Sequence, residues 1–282
     1  MRYRTAPVIS FPVAALNYER AVAAAMRDAE ASLGGYVCIA NVHMVMEAFD
    51  DPEFREVVAG ARMVTSDGMP LVWMLRAQGL KEAERVYGPT LTLHVCRAAA
   101  AKRMPVGLYG GTEQSILEFK AFLASNFPTL EVACAISPPF RPPTQAEDRA
   151  HVREIMSSGA RILFVGIGCP KQEKWMGAHA ESLPGVTMFG VGAAFDFHSG
   201  RVRQAPAVLQ KAGLEWAFRL LMEPKRLWRR YFVHNPRFVY LAIRQLLRRE
   251  PGQVGRSHES GDRSPRRISR RISARKWRQR ES

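Results

Sequence analysis

The sequence is short of the usual metal and phosphate motifs. It has no Asp-x-Asp pair, no phosphate loop ending in Gly-Lys-Ser/Thr and no Gly-x-Ser-x-Gly elbow. The first absence removes the carboxylate pair that commonly holds a divalent cation on a diphosphate. The other two remove the P-loop and the serine-hydrolase turn. Its cysteines, Cys38, Cys96, Cys134 and Cys169, are scattered with no CxxC pair. That excludes a disulfide frame or a cysteine zinc site and reads as reduced thiols in or near a core. No His pair has metal-ligand spacing. His43, after a strand end, reads as polar lining of a site; His94, His151, His179 and His234 read as structural, and His198 falls in the loop after the last strand. No run approaches the about 18 apolar residues of a spanning helix. The opening MRYRTAPVISFPVAAL faintly resembles a leader, but Pro7 and Pro12 interrupt its apolar run, so it is read as mature chain. No internal repeat is visible.

What is present bounds the answer. The chain has 282 residues and 47% hydrophobic content, enough for one large domain or a domain with an appendage. Its net charge is +15. The excess concentrates in residues 219–249 and more densely in 256–280, which suggests an anionic partner: nucleic acid, a phosphorylated substrate or an acidic membrane.

Strand and helix patterns alternate regularly. Strands are predicted over 36–40, 63–65, 106–109, 130–136, 161–167 and 186–191, with helices over 18–33, 71–78, 89–103, 144–158 and 170–183, and others starting at Asp51 and Thr112. Several strands are apolar on both faces, which argues for an α/β fold with a parallel-rich sheet covered on both sides. Three regions are expected: a Rossmann-like core over 1–205, a helical appendage over 206–249, and a basic tail over 250–282 without structure. No strand is expected after Pro206.

Four strand ends carry polar or glycine-rich loops: Asn41–His43, Ser66–Gly68, Gly110–Thr112 and Gly166–Glu173. Each feeds a helix N-terminus, which favours anions, so several on one sheet edge point to a nucleotide or phosphorylated ligand. The dinucleotide fingerprint fits poorly: Gly166-x-Gly168 has Lys171 at the third glycine, and Gly190-x-Gly192 has Phe195. The stretch RMVTSDGMP (62–70) is central. Asp67 lies where open α/β sheets bind ligands, and Gly68 lets the backbone turn and a substrate approach. Alternatively, Asp67 is only a turn residue or helix N-cap. With no Asp-x-Asp pair, a departing diphosphate would be neutralised by arginines, with Arg201, Arg203, Arg219, Arg226, Arg229 and Arg230 as candidates against a merely solvated basic face.

The order Asn41, DPEFREVVAGARMVTSDGMPLVW, ERVYGPTL, GLYGG, VGIGCPKQEKW, FGVGAAFDFHSGRVRQAP and GLEWAFRLLMEPKRLWRRYF resembles the WecG/TagA/CpsF family of bacterial glycosyltransferases (glycosyltransferase family 26) from about residue 41 to 232. The resemblance implies a Rossmann-like core of the GT-E type with a C-terminal appendage at the membrane. It implies inverting, metal-independent transfer of N-acetylmannosamine, its uronic acid or a related hexose from a UDP-sugar to a polyprenyl-diphosphate-linked sugar, for teichoic acid, common antigen, capsule or exopolysaccharide. No cofactor is implied. Asp67 matches the family's proposed base. Asn41, the Gln172-Glu173 pair, and Arg85, Gly88 and Thr90 match its substrate-binding positions, with Gly68, Gly110, Gly111 and Gly192 in the surrounding loops. Arg219, Arg226, Arg229 and Arg230 are the arginines assigned to the diphosphate. One departure is Ile39, where many members have Thr.

Those implications place the protein in the cytoplasm, peripheral on the inner face of the cell membrane. The aromatic and basic residues of 214–247 suit a helix lying in an anionic interface, or else core packing with solvated cations. The competing function is a Rossmann protein that grips nucleotides or nucleic acid through its arginine-rich tail. The ordered core motifs favour the transferase.

Overall fold

In the computed structural model, residues 2–201, 205–206, 209, 215–248 and 257–259 are described. Six strands form one sheet: β3 (Gly35–Ala40), β4 (Met63–Ser66), β5 (Val106–Gly110), β6 (Val132–Ile136), β7 (Ile162–Gly166) and β8 (Thr187–Gly190). Their spatial order is β4-β3-β8-β7-β5-β6, and every neighbouring pair is parallel. The expected α/β architecture is therefore present. Parallel strands must be covered on both faces, hence the continuous apolar runs of β3 and β7. Alternation along β3 sends Tyr36, Cys38 and Ala40 into one core and Val37 and Ile39 into the other.

The helices fill in the two layers. On one face lie α2 (Val42–Asp50), α3 (Pro52–Ala59), α4 (Met69–Ala77) and α8 (Lys171–His179). On the other lie α1 (Tyr18–Glu30), α5 (Gly88–Ala101), α6 (Glu113–Asn126) and α9 (Ala194–His198). The outer helix α7 (Gln145–Ser158) follows β6. Asp51 caps α3, its Oδ1 accepting from the N–H groups of Glu53 and Phe54, as expected of a helix starting there. Sequence boundaries and observed boundaries differ by a few residues, as fraying ends usually do.

The N-terminus departs from expectation. Residues once comparable to a leader form a hairpin, β1 (Arg2–Val8) and β2 (Phe11–Ala14), paired from Thr5↔Ala14 to Val8↔Phe11. Ile9, in the turn, has φ 58°, a conformation β-branched residues seldom adopt. The opposite edge of β1 pairs with β9 (Ser257–Glu259). This corrects the expectation that strands end at Pro206: an open strand edge offers unpaired N–H and C=O groups to any short extended segment. The rest of the 250–282 tail lies outside the described residues.

The appendage is helical as expected: α10 (Glu215–Met222), α11 (Pro224–Arg229) and α12 (Asn235–Leu247), with a π-helical turn over Arg230–His234. It is not detached. Phe238 and Ala242 of α12 are buried in the same core as α2 and the hairpin. The Gln245 carboxamide accepts from Ile9 N (2.8 Å) and donates to Pro7 O (2.7 Å), and Arg237 forks onto Asp50 at 2.7 and 2.8 Å. Packing therefore continues across the boundary expected near residue 205. Among the described residues, no helix is long and apolar enough to cross a membrane.

Candidate active site

All six strands point the same way, so the loops after β3, β4, β5, β7 and β8 share one edge. β3 leads outward to β4 while β8 lies on its other side, which opens a crevice at the strand ends where such sheets bind ligands.

Asp67 follows β4 directly, and its N–H donates to Ala40 O at 2.7 Å, extending the ladder by one step. The N-cap of α4 is Gly68, with no side-chain cap bond. Asp67 is therefore not itself the N-cap residue of α4. Its carboxylate instead faces Arg85: Nη2 lies 3.5 Å from Oδ1, and Arg85 Nε donates to Asp67 O at 2.6 Å. Arg85 is fixed in turn. Val86 N donates to Ser66 O, Ser66 Oγ donates to Glu84 O, and the guanidinium lies 4.4 Å above the Tyr87 ring. Asp67 and Arg85 are both about one-fifth exposed (19% and 18%), sheltered yet reachable.

Tyr18 and Tyr87 were not foreseen from sequence. Tyr18 OH accepts from Tyr87 N at 3.0 Å and also hydrogen-bonds Thr90; Asp67 and Arg85 are close enough to act on it electrostatically. Burial pushes its phenol upward. It reads in sequence as an unremarked helix start; only the fold brings α1 beside the RVYGPT segment. Gly88 opens α5 against Val191 and Ile39, so Ile39 contributes an apolar wall at this point.

Asn41 is held as the cap of α2, its Oδ1 accepting from Met44 N at 3.2 Å. The floor of the crevice is glycine. Gly110 has φ 131°, and a Cβ there would lie 2.5 Å from the Gly166 backbone; a Cβ on Gly166 would meet Gly192 O at 2.9 Å. Three strand ends therefore approach more closely than any side chain allows. After Gly111, Thr112 and Ser115 form a reciprocal capping box, so α6 satisfies two of its own terminal N–H groups. At α8 no side chain caps the N-terminus. There Gln172 N donates to Gly168 O at 2.8 Å.

Gln172 and Glu173 lie beneath the β8 turn. Gln172 Oε1 accepts from Gly192 N at 3.0 Å, and Gln172 Nε2 donates to Glu173 Oε1 at 2.7 Å. Glu173 is fully buried, and burial pushes its carboxyl up to about 7. The pair braces the Gly190–Gly192 backbone from below, with Glu173 reaching Gly192 only through Gln172.

This set of residues falls within a match to the model of the glycosyl transferase WecG/TagA/CpsF family over residues 6–252. The chain belongs to that family. It is a glycosyltransferase of cell-surface polysaccharide synthesis, acting on a sugar donor and an acceptor. The nucleic-acid reading gives way to this one. The match also covers the hairpin from residue 6 and all of α12, beyond the 41–232 stretch that carried the resemblance.

Other expectations divide. Arg219, Arg226 and Arg229 lie on α10 and α11, and Arg230 opens the π-helical turn; their side chains, and Arg203, lie outside the described residues. Arg201 is exposed and pairs with Glu118 at 2.7 Å. His198 belongs to α9 rather than a loop, with its Nε2 at 2.8 Å from Pro89 O. His43 turns toward the appendage, its ring 5.4 Å from that of His234.

Proposed function

We propose that this glycosyltransferase moves a hexose (N-acetylmannosamine, its uronic acid or a related sugar) from a UDP-sugar to a polyprenyl-diphosphate-linked sugar, with inversion. The observation that carries the reading is the Asp67 carboxylate, one residue before the N-cap of α4 and facing Arg85 at the ligand edge of the sheet. In the proposed step the acceptor hydroxyl oxygen attacks the anomeric carbon, Asp67 takes the hydroxyl proton, and UDP leaves with the electrons of the broken C–O bond. A base fixed within hydrogen-bond reach of the hydroxyl suits this role. Arg85 orients Asp67, while Tyr18, Thr90, Asn41 and the glycine floor shape the donor pocket. The departing diphosphate is met by the N-terminus of α8 and by Arg219, Arg226, Arg229 and Arg230 rather than by a bound cation.

We also place the protein on the cytoplasmic face of an anionic membrane. α12 is apolar on two sides: Phe238 and Ala242 enter the core, whereas Val239, Tyr240, Ile243 and Leu247 are exposed. Trp216, Leu221, Trp228 and Phe232 are also exposed on the preceding elements, while Leu227 is buried. Exposed apolar groups interleaved with arginine favour an interface with anionic lipid. The test is to offer UDP-activated N-acetylmannosamine, its uronic acid, glucose and N-acetylglucosamine with a polyprenyl-diphospho-sugar, and to weigh the lipid product by mass spectrometry. A product heavier by one of these hexoses supports the reading; no transfer from any UDP-sugar refutes it.

A further inference from the structure

We propose that His43, Glu47 and His234 form a binding site for a divalent transition-metal ion, zinc or a cation of similar preference, which ties the appendage to α2. His43 and Glu47 stand four residues apart on α2, so their side chains share one helical face. His234 closes the π-helical turn that meets this face. One ligand atom from each residue can be chosen so that all lie within 4.8 Å of one another. Glu47 Oε1 is 3.6 Å from His43 Nδ1 and 3.8 Å from His234 Nε2. Ligand atoms on a tetrahedral zinc with bonds of about 2.0–2.2 Å sit roughly 3.4 Å apart. Two edges of the triangle are thus near the required length.

The donor set selects the class of ion. Two imidazoles and one carboxylate suit zinc and neighbouring transition metals, whereas magnesium and calcium prefer oxygen ligands throughout. Three protein ligands leave a fourth position for water. The side chains are 17%, 33% and 16% exposed, open enough for an ion to enter. The next acid along α2, Asp50, is engaged by Arg237, which holds the two elements in register beside the cluster. A π-helical turn is a common device for aiming one side chain at a functional site. The ion takes no part in sugar transfer. It fixes α2, whose cap is Asn41, against the segment that carries the proposed diphosphate arginines. The site stands on its own geometry and does not rest on the transferase mechanism.

The test uses full-length protein stripped with a chelator. Zinc is titrated by calorimetry, cobalt(II) by its visible absorption, and backbone hydrogen exchange over 230–247 is followed with and without zinc. The expected result is one equivalent per chain and slower exchange in that segment. Each of His43→Ala, Glu47→Gln and His234→Ala should weaken binding by at least about tenfold. Circular dichroism checks that the variants fold, and the near-isosteric Glu47→Gln keeps the test valid if a histidine variant does not. Absence of stoichiometric binding, or equal affinity in wild type and the folded variants, overturns the proposal.

Discussion

Replacing Glu173 with Gln exchanges a buried acid for a neutral group of the same shape. A protonated carboxyl offers an acceptor oxygen and one O–H donor, and a carboxamide offers an acceptor oxygen and two N–H donors. The bond from Gln172 Nε2 to Oε1 can therefore persist. Burial raises the Glu173 carboxyl from 4.5 to about 7. The folded state then binds the proton more tightly than the unfolded chain. By linkage, this contribution is fully present below about pH 4.5 and is lost as pH rises through about 7. At 1.36 kcal/mol per unit, ionising Glu173 in the fold costs roughly 3 kcal/mol at high pH, of which about 2 kcal/mol falls between pH 5.5 and 8.5. Glu173→Gln has no such penalty. Urea unfolding followed by tryptophan fluorescence across that interval should show the wild type losing about 2 kcal/mol relative to the variant. Parallel pH profiles would refute the placement of Glu173 as a buried acid whose proton the fold holds.

At the site, Asp67→Asn keeps the shape but removes the base; turnover should fall by ~10²-fold or more with donor binding retained. Near-normal turnover would make Asp67 structural and move the base elsewhere. Transfer should not need a divalent cation: a His43→Ala/Glu47→Gln variant, lacking two of the proposed zinc ligands, should show the same activity with and without EDTA. Loss in EDTA restored by magnesium or manganese would contradict the arginine account. Full-length protein should sediment with anionic vesicles and be released by high salt, while Val239→Ser/Ile243→Ser should sediment less; equal sedimentation would remove α12 from the membrane face. Truncation after Pro206 should abolish most transfer to the lipid acceptor and lower the thermal midpoint, since Phe238 and Ala242 leave the core; full activity would overturn the appendage's role.

Much of the sheet could be read directly because β3 and β7 are apolar on both faces, a pattern that hardly arises outside a covered parallel strand. Asp67 and the glycine loops stand out in the sequence because strand ends place them on one edge, whereas Gln172 stands out only by resemblance to the family. Local signals failed where distant segments decide the outcome. Pro7 and Pro12 masked a hairpin whose turn is held by Gln245. Tyr18 matters only because Tyr87 and Thr90 fold onto it. His43 and His234 carry no spacing signature; 191 positions separate them by number, and only the fold makes them neighbours. The reverse case is Glu173, which resemblance places near the donor and burial places beneath it.

The Gln245 clasp has a consequence for synthesis. It joins Pro7 to a residue 238 positions later. At about 5–20 residues per second, the ribosome needs roughly 12–48 s to cover that distance. Through that interval Ile9 N lacks its Gln245 acceptor, although Val45 and Gln78 already hold the hairpin at Ser10 and Pro7, and the core face that later receives Phe238 stays open to water. A nascent chain of this protein therefore presents sticky surface on the β1–β2 side of its core until α12 emerges. Chaperone occupancy on translating ribosomes should persist until the codons for α12 have been read and the helix has cleared the exit tunnel.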